Sequence, residues 1–253
     1  GSTRTARLLV GADGRTSETA ARAGIRRTGW AYDQTSLVTA LTVERDHLGC
    51  AHQMFFPEGP LAVLPLQGNR VSIVWTEQAE RAAHIMSLDD AAYLDVLRPR
   101  FGSFLGEITL TGRRYSYPLG LSLAEQLVGD RLVLVGDAAH GIHPLAGQGL
   151  NLGLRDVAAL AQVLAGAARR GEDIASPLVL ERYRRWRQSD IAALALATDG
   201  INRVFSNANP LLRAGRVLAL GALDALPGPR RALIRAAAGL SGEMPRLLKG
   251  EPL

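Results

Sequence analysis

Asp137 sits where the apolar run Leu132 to Val135 gives out, and Gly147 and Gly149 follow just ahead of a helical pattern. A carboxylate at the tip of a short β-branched strand can accept hydrogen bonds from sugar or ribityl hydroxyls. Glycines at a helix start let the backbone come close to a ligand, and the helix brings free N–H groups and partial positive charge to the same point. The apolar residues Leu150, Leu154, Val157, Ala161 and Leu164 recur at helical spacing and predict a helix from Gly149 to about Ala168. Strand, acidic tip, glycine turn and helix have the layout of a nucleotide-cofactor site. The run Gly147 to Gly153 is not a dinucleotide fingerprint, because that motif needs its first glycine directly after a strand and eleven residues part Val135 from Gly147.

The elements that must carry this turn follow from pattern. Leu8 to Gly11 reads as a strand, and Asp13-Gly14 taken alone reads as an ordinary turn after it. Leu37 to Val43, Ala51 to Phe56, Leu61 to Leu66 and Arg70 to Thr76 read as strands, with Gln67-Gly68-Asn69 turning a hairpin between the last two. A helical pair is expected around residues 78 to 98, with Ser87 or Asp89 as a cap, and a further strand from Glu107 to Tyr117. Helices are expected near 177 to 205, with Ser176 as N-cap and Pro177 first, and near 210 to 226. Pro227-Gly228-Pro229 then breaks the chain before a shorter helix from about Arg230.

Gly-Asp-Ala-Ala-His at 136–140, Pro144, and Gly-Gln-Gly-Leu-Asn at 147–151 resemble the second FAD-binding motif of the aromatic hydroxylases typified by para-hydroxybenzoate hydroxylase. Leu8 to Ser17 resembles the Asp-Gly motif of the same flavoproteins, and Phe56 to Leu66, Ser72 to Trp75 and Ala238 to Leu248 are similar to their ubiquinone-biosynthesis branch. The resemblance implies an α/β (α+β) chain: a partial FAD-binding Rossmann-like domain (1–27 and 128–170), an inserted mixed β-sheet substrate domain (28–127) and a C-terminal helical region (171–253). It implies FAD as cofactor, with Asp13, Gly14, Gly136, Asp137, Pro144, Gly147, Gln148, Gly149, Leu150 and Asn151 around it, and NAD(P)H as electron donor. The implied reaction is hydroxylation of the ring of a polyprenylated phenol or benzoquinol precursor of ubiquinone. In the family a reduced flavin meets oxygen at its C4a carbon, and the hydroperoxide delivers the OH group.

Two departures from the pattern matter. The family opens with a strand, a Gly-x-Gly-x-x-Gly turn and a helix that hold the ADP half of FAD. This chain starts later, so the resemblance implies the C-terminal portion of a longer enzyme, inactive by itself, with Gly1-Ser2 either native or a cloning scar. In the Asp-Gly motif the family places an arginine three residues after the serine, where this chain has Ala20, with Arg22 nearby. Other flavin chemistry, reduction or halogenation, and a non-catalytic scaffold are the alternatives.

Composition sets the remaining bounds. With 253 residues and 47% hydrophobic content, the chain can bury a large core. No apolar run reaches the roughly 18 residues of a membrane span, and a lone Cys50 with no His/Cys cluster leaves no disulfide or metal framework. A reducing, cytoplasmic setting is expected, peripheral at the inner membrane if the substrate is lipophilic. The net charge of +5 is concentrated after residue 150, most densely at Arg182, Arg184, Arg185 and Arg187. That cluster reads either as attraction to an anionic membrane or as a solvated helix face with Glu181 and Arg185 paired. The second reading is favoured, because 28 arginines against one lysine make arginine-rich surfaces ordinary here. No aromatic and basic interleaving points to nucleic acid. His140 is expected to be structural, His143 to stand outside the chemistry, and Trp30, Trp75 and Trp186 to pack in the core or on a sheet face.

Overall fold

A computed structural model describes residues 3–144, 147–206, 225–237 and 242–253, together with Gly215 and Gly221. In chain order its elements are β1 (Leu9–Gly11), α1 (Glu18–Arg22), β2 (Arg27–Val43), β3 (His52–Phe56), β4 (Gly59–Pro65), β5 (Arg70–Gln78), α2 (Ala79–Ser87), α3 (Asp90–Phe101), β6 (Ile108–Leu110), β7 (Tyr115–Ala124), β8 (Val128–Gly129), β9 (Leu132–Leu134), β10 (His140–Gly141), α4 (Gln148–Arg169), α5 (Pro177–Phe205) and α6 (Pro227–Ala237). The chain divides into two units: residues 1–30, 121–200 and 219–253 form the first, and residues 31–120 and 201–218 the second.

In the first unit β1 and β9 run parallel, with Leu9 opposite Leu132 and Gly11 opposite Leu134, and β8 pairs antiparallel on the far side of β9. Parallel neighbours need a long crossover, which is why two motifs more than a hundred residues apart end side by side. Leu132, Val133 and Leu134 are buried. Helix α4 lays Leu152, Asp156, Ala159 and Leu160 inward, whereas Leu150, Leu154 and Val157 of the expected apolar stripe stand exposed. The spacing marks a helix, but the buried face is the one with small residues and a carboxylate. Pro177 opens α5, and α6 begins at Pro227, three residues ahead of the expectation, since proline is tolerated in a first helical turn. The helix expected near 210 to 226 lies largely outside the described residues.

In the second unit β2 pairs antiparallel with β5 over Gln34 to Thr42, β5 with β4, and β4 with β3. Alternation puts Leu37, Leu41, Leu61, Val63, Ile73 and Trp75 on one face, where they join Ile85, Tyr93, Leu97 and Phe101 in a single buried cluster. Trp75 meets Tyr93 edge-on at 5.9 Å. Asp89, not Ser87, caps α3, its carboxylate accepting from Ala92 N at 2.9 Å. The hairpin at Gln67–Asn69 turns through Gly68 at φ 66°.

Two expectations about strand length are corrected. β2 begins ten residues before Leu37, passing Asp33 in a left-handed conformation (φ 54°) and Gly29, whose missing Cβ makes room for the Leu121 carbonyl. The strand expected from Glu107 to Tyr117 is two strands. They are parted at Gly112, which packs on Ala40, and β7 continues through Pro118 to Ala124.

Candidate functional site

β9 ends in a short 3₁₀ turn, Gly136 to Ala138, entered through Gly136 at φ 59°, a conformation that favours glycine. Four side chains from distant parts of the first unit hold it. Arg15, in the Asp-Gly turn after β1, donates from Nε to Asp137 Oδ2 at 3.1 Å and from an amino nitrogen to Ile142 O at 2.7 Å. Arg27 donates to the carbonyls of Asp137 and Ser122, each at 3.1 Å, to Ala138 O, and to Ser122 Oγ at 2.8 Å. Burial pulls the Arg27 pKa down, the Asp137 carboxylate opposes that, and the Arg15 cation adds to it. Asp156 on α4 accepts from Gly136 N at 3.0 Å and bonds His140 Nε2. Tyr183 on α5 donates to Leu134 O at 2.9 Å, with burial pushing its phenol well above the ordinary value.

Held this way, the Asp137 side chain stays 41% exposed, on the surface of the turn. The loop onward runs through buried His140 and His143 to half-buried Pro144, and Gly147 N donates to Pro144 O at 3.0 Å. Gly147 then starts α4 in the left-handed region (φ 64°) and contributes no side-chain cap. A Cβ placed on Gly147 or Gly149 would meet no atom within 4 Å, and Leu150 and Asn151 beside them are exposed. One turn further, Gly153 packs against the Gly136 Cα, where a Cβ would come within 3.2 Å. That contact seats the start of α4 against the Asp137 turn.

The expected site residues therefore fall into groups. Gly136, Asp137, Pro144, Gly147, Gln148, Gly149, Leu150 and Asn151 lie along one turn-and-helix segment, with residues 145 and 146 outside the described residues. Asp13 is engaged locally: its carboxylate accepts from Ser17 Oγ at 2.6 Å and Thr19 N at 2.9 Å, bonds that hold its pKa far below the usual carboxylate range. Gly14 supplies the turn itself at φ 82°. His140 is buried against Asp156, in a structural position. His143 is fully buried, and burial, with the Arg15 cation, brings its pKa down to about 4 while Asp199 opposes the shift. Trp75 is core, Trp30 is 43% exposed, and Trp186 donates to Glu243 O at 3.1 Å.

Sequence reasoning missed Arg15, Arg27, Asp156, Tyr183 and Arg187 as parts of this site. The one available signal was Asp156, an acid among inward-facing apolar positions of α4. The arginine cluster also needs correction. Arg187 is fully buried, bonded to Asp156 Oδ1 at 2.8 Å. The others are paired at the surface, Arg182 with Glu172, and Arg184 and Arg185 with Glu181.

An open glycine-lined helix start beside a half-exposed carboxylate fits a flat ring joined to a polyhydroxylated chain, since the backbone is accessible and the acid has acceptor capacity left. The model of the FAD binding domain family matches residues 1–197. The ubiquinone hydroxylase UbiL of Rhodospirillum rubrum is 44% identical over 256 residues, covering 100% of this chain and 60% of that protein. The 3-demethoxyubiquinol 3-hydroxylase of Escherichia coli is 39% identical over 235 residues, covering 93% and 60%. This chain thus spans about three fifths of the length of those relatives. Among solved structures, the Diels-Alderase PyrE3 of pyrroindomycin biosynthesis superposes with a TM-score of 0.70 at 25% identity, covering 94% of this chain and 51% of that one.

Proposed function

Since the chain belongs to the FAD binding domain family, we propose that it serves an FAD-dependent monooxygenase that hydroxylates the aromatic ring of a polyprenylated phenol or benzoquinol intermediate of ubiquinone biosynthesis. The observation that carries the reading is the joining of the two motifs through Arg15 and Asp137 next to the open start of α4. The printed activities of the R. rubrum and E. coli relatives support the substrate class. The fold alone would not, because the same architecture serves a Diels-Alderase.

When bound, FAD would supply the redox chemistry, by which an aromatic C–H, O2, a hydride (two electrons and one proton) from NAD(P)H and one proton from solvent give C–OH and water. In this reading Asp137 accepts hydrogen bonds from the ribityl hydroxyls, and Arg15 fixes the carboxylate without burying it. Backbone N–H groups in the first turn of the 22-residue helix, after Gly147 whose own N–H is taken by Pro144 O, would meet the ring at the positive end of the helix and would stabilise negative charge there. Pro144 would line the ring, on the side where oxygen is expected to react. Asp13 and Gly14 act through the turn that aims Arg15. His143 stays neutral near pH 7 and contributes no imidazolium. In the second unit the half-buried row Val38, Val74 and Ala62, on the sheet face opposite Leu37 and Trp75, offers an apolar surface for the substrate.

No helix among the described residues is long and apolar enough to cross a membrane. A prenylated substrate partitions into lipid, and surface contact with a membrane would give access to it. We assign that contact to α6, where Ile234, and Leu226 just ahead of the helix, are more than half exposed beside the exposed Arg230, Arg231 and Arg235. The test of the whole reading is the full-length gene product. Visible flavin absorbance after purification, and restoration of ring hydroxylation in cells lacking that step, followed by quinone mass, are expected. A colourless product that restores nothing overturns it in favour of a scaffold.

A further inference from the structure

We propose that Asp156 is the positioning residue of the cofactor turn, an inference that rests on the reading of that turn as the flavin contact. Its carboxylate is completely buried yet fully used. One oxygen takes Gly136 N at 3.0 Å and His140 Nε2, and the other takes Arg187 Nε at 2.8 Å. Arg187, itself completely buried, passes on to Asp190 Oδ2 at 2.6 Å. The turn on one side and α5 on the other thereby meet on a single side chain of α4.

A buried ion pair is a poor device for stability alone, since apolar side chains of like volume often serve as well. What an apolar pair cannot do is accept two N–H groups at once. Gly136, at φ 59°, and His140 are the two ends of the Asp137 turn, and both point their donors at the same oxygen. Fixing both ends fixes the direction of the Asp137 side chain between them. The geometry also orients the His140 ring. With a carboxylate opposite Nε2, that nitrogen carries a hydrogen, and Nδ1 is buried without a hydrogen-bond partner. Arg187 neutralises the acid, so that three donors converge on one anion without a net buried charge.

Asp156→Asn preserves shape but turns one acceptor into a donor that faces Gly136 N–H, His140 N–H or Arg187 N–H. In the full-length protein, FAD affinity is read by flavin fluorescence, alongside the melting temperature of the FAD-free form. The expected result is a Kd raised about tenfold or more, the size of one lost charge-assisted hydrogen bond. Val179→Ala, a cavity in the same unit that removes none of the turn's hydrogen bonds, provides a loss of melting temperature and is expected to leave Kd within about twofold of wild type. Should Asp156→Asn fail to fold, His140→Gln, which keeps an N–H donor, is expected to hold FAD better than His140→Ala.

A Kd for Asp156→Asn that matches wild type or Val179→Ala overturns the positioning role, as does equal affinity in the two His140 variants. Asp137→Ala separates this from the parent reading. If it too binds FAD like wild type, the site assignment itself fails. If it loses FAD while the Asp156 and His140 variants do not, only the positioning role falls.

Discussion

Three glycines on α4, each replaced by alanine, separate stability from cofactor binding. Alanine gains about 1 kcal/mol over glycine in a helix interior. At Gly166 the nearest atom to the new methyl is the end of the flexible Arg170 side chain, at 3.3 Å, which can move. The gain is kept, worth about 2 to 4 °C in melting temperature for a protein of this size. At Gly153 the methyl meets the Gly136 Cα at 3.2 Å, backbone pinned by its bond to Asp156. Overpacking costs about 1 to 3 kcal/mol, which equals or exceeds the propensity gain, so stability is unchanged or falls and the turn is displaced. At Gly149 the methyl meets no protein atom. There the helix gains about 0.5 kcal/mol, less than in mid-helix because the site is in the first turn. The methyl stands where the cofactor would touch backbone. Thermal melts of the FAD-free protein and fluorescence titration of FAD give the two readouts. The expected pattern is Gly166→Ala more stable with unchanged Kd, Gly153→Ala no more stable than wild type with weaker binding, and Gly149→Ala more stable with weaker binding. Wild-type FAD affinity in Gly149→Ala would refute the claim that this backbone approaches the cofactor.

His143 has its pKa lowered from 6.5 to about 4, so the unfolded chain takes up its proton first as pH falls. The associated stability is intact above pH 6.5 and is lost as pH drops towards 4, about 3 kcal/mol in all, a slope that urea melts should show in wild type and that His143→Leu should flatten. Arg15→Ala releases both Asp137 and Ile142 O and should weaken FAD binding about tenfold by titration. Arg15→Lys should restore little, because an ammonium lacks the fork that reaches both acceptors. Replacing Arg230, Arg231 and Arg235 together by glutamine should weaken binding to anionic vesicles about a hundredfold, at about 1 kcal/mol each, in a flotation assay. The same change at Arg182, Arg184 and Arg185 should leave it unaltered, since their charges are already met by Glu172 and Glu181.

The parts of this fold legible in sequence were those fixed by local chemistry. Gly68 needs φ 66° for its hairpin, and Gln-Gly-Asn announces it. Asp89 one residue before α3 announces the cap. The glycine start of α4 announced itself the same way. What could not be read was set by partners far along the chain. In Arg27 to Ser36 the alternation of Thr28, Trp30 and Tyr32 is interrupted by Gly29 and by Asp33 at φ 54°, and the strand is completed by its neighbours β5 and β7. Arg187 belongs to a run of surface arginines and differs from them only in facing Asp156, 31 residues away.

This division follows from how a binding surface is made. The groups proposed to touch the cofactor are backbone N–H and one short carboxylate, so the sequence must spend glycines there, and glycines at fixed spacing are a strong written signal. The groups that hold those atoms still are chosen by the shape of the interior, which many spacings can satisfy. Arg15 reaches across 122 residues to Asp137 and Arg27 across 111 to Ala138. Neither distance is constrained by any local rule; the first follows from β1 lying parallel to β9 and the second from β2 lying beside β7. The turn motif is therefore readable from the chain alone. Its rigidity, on which discrimination and charge stabilisation depend, belongs to the tertiary structure.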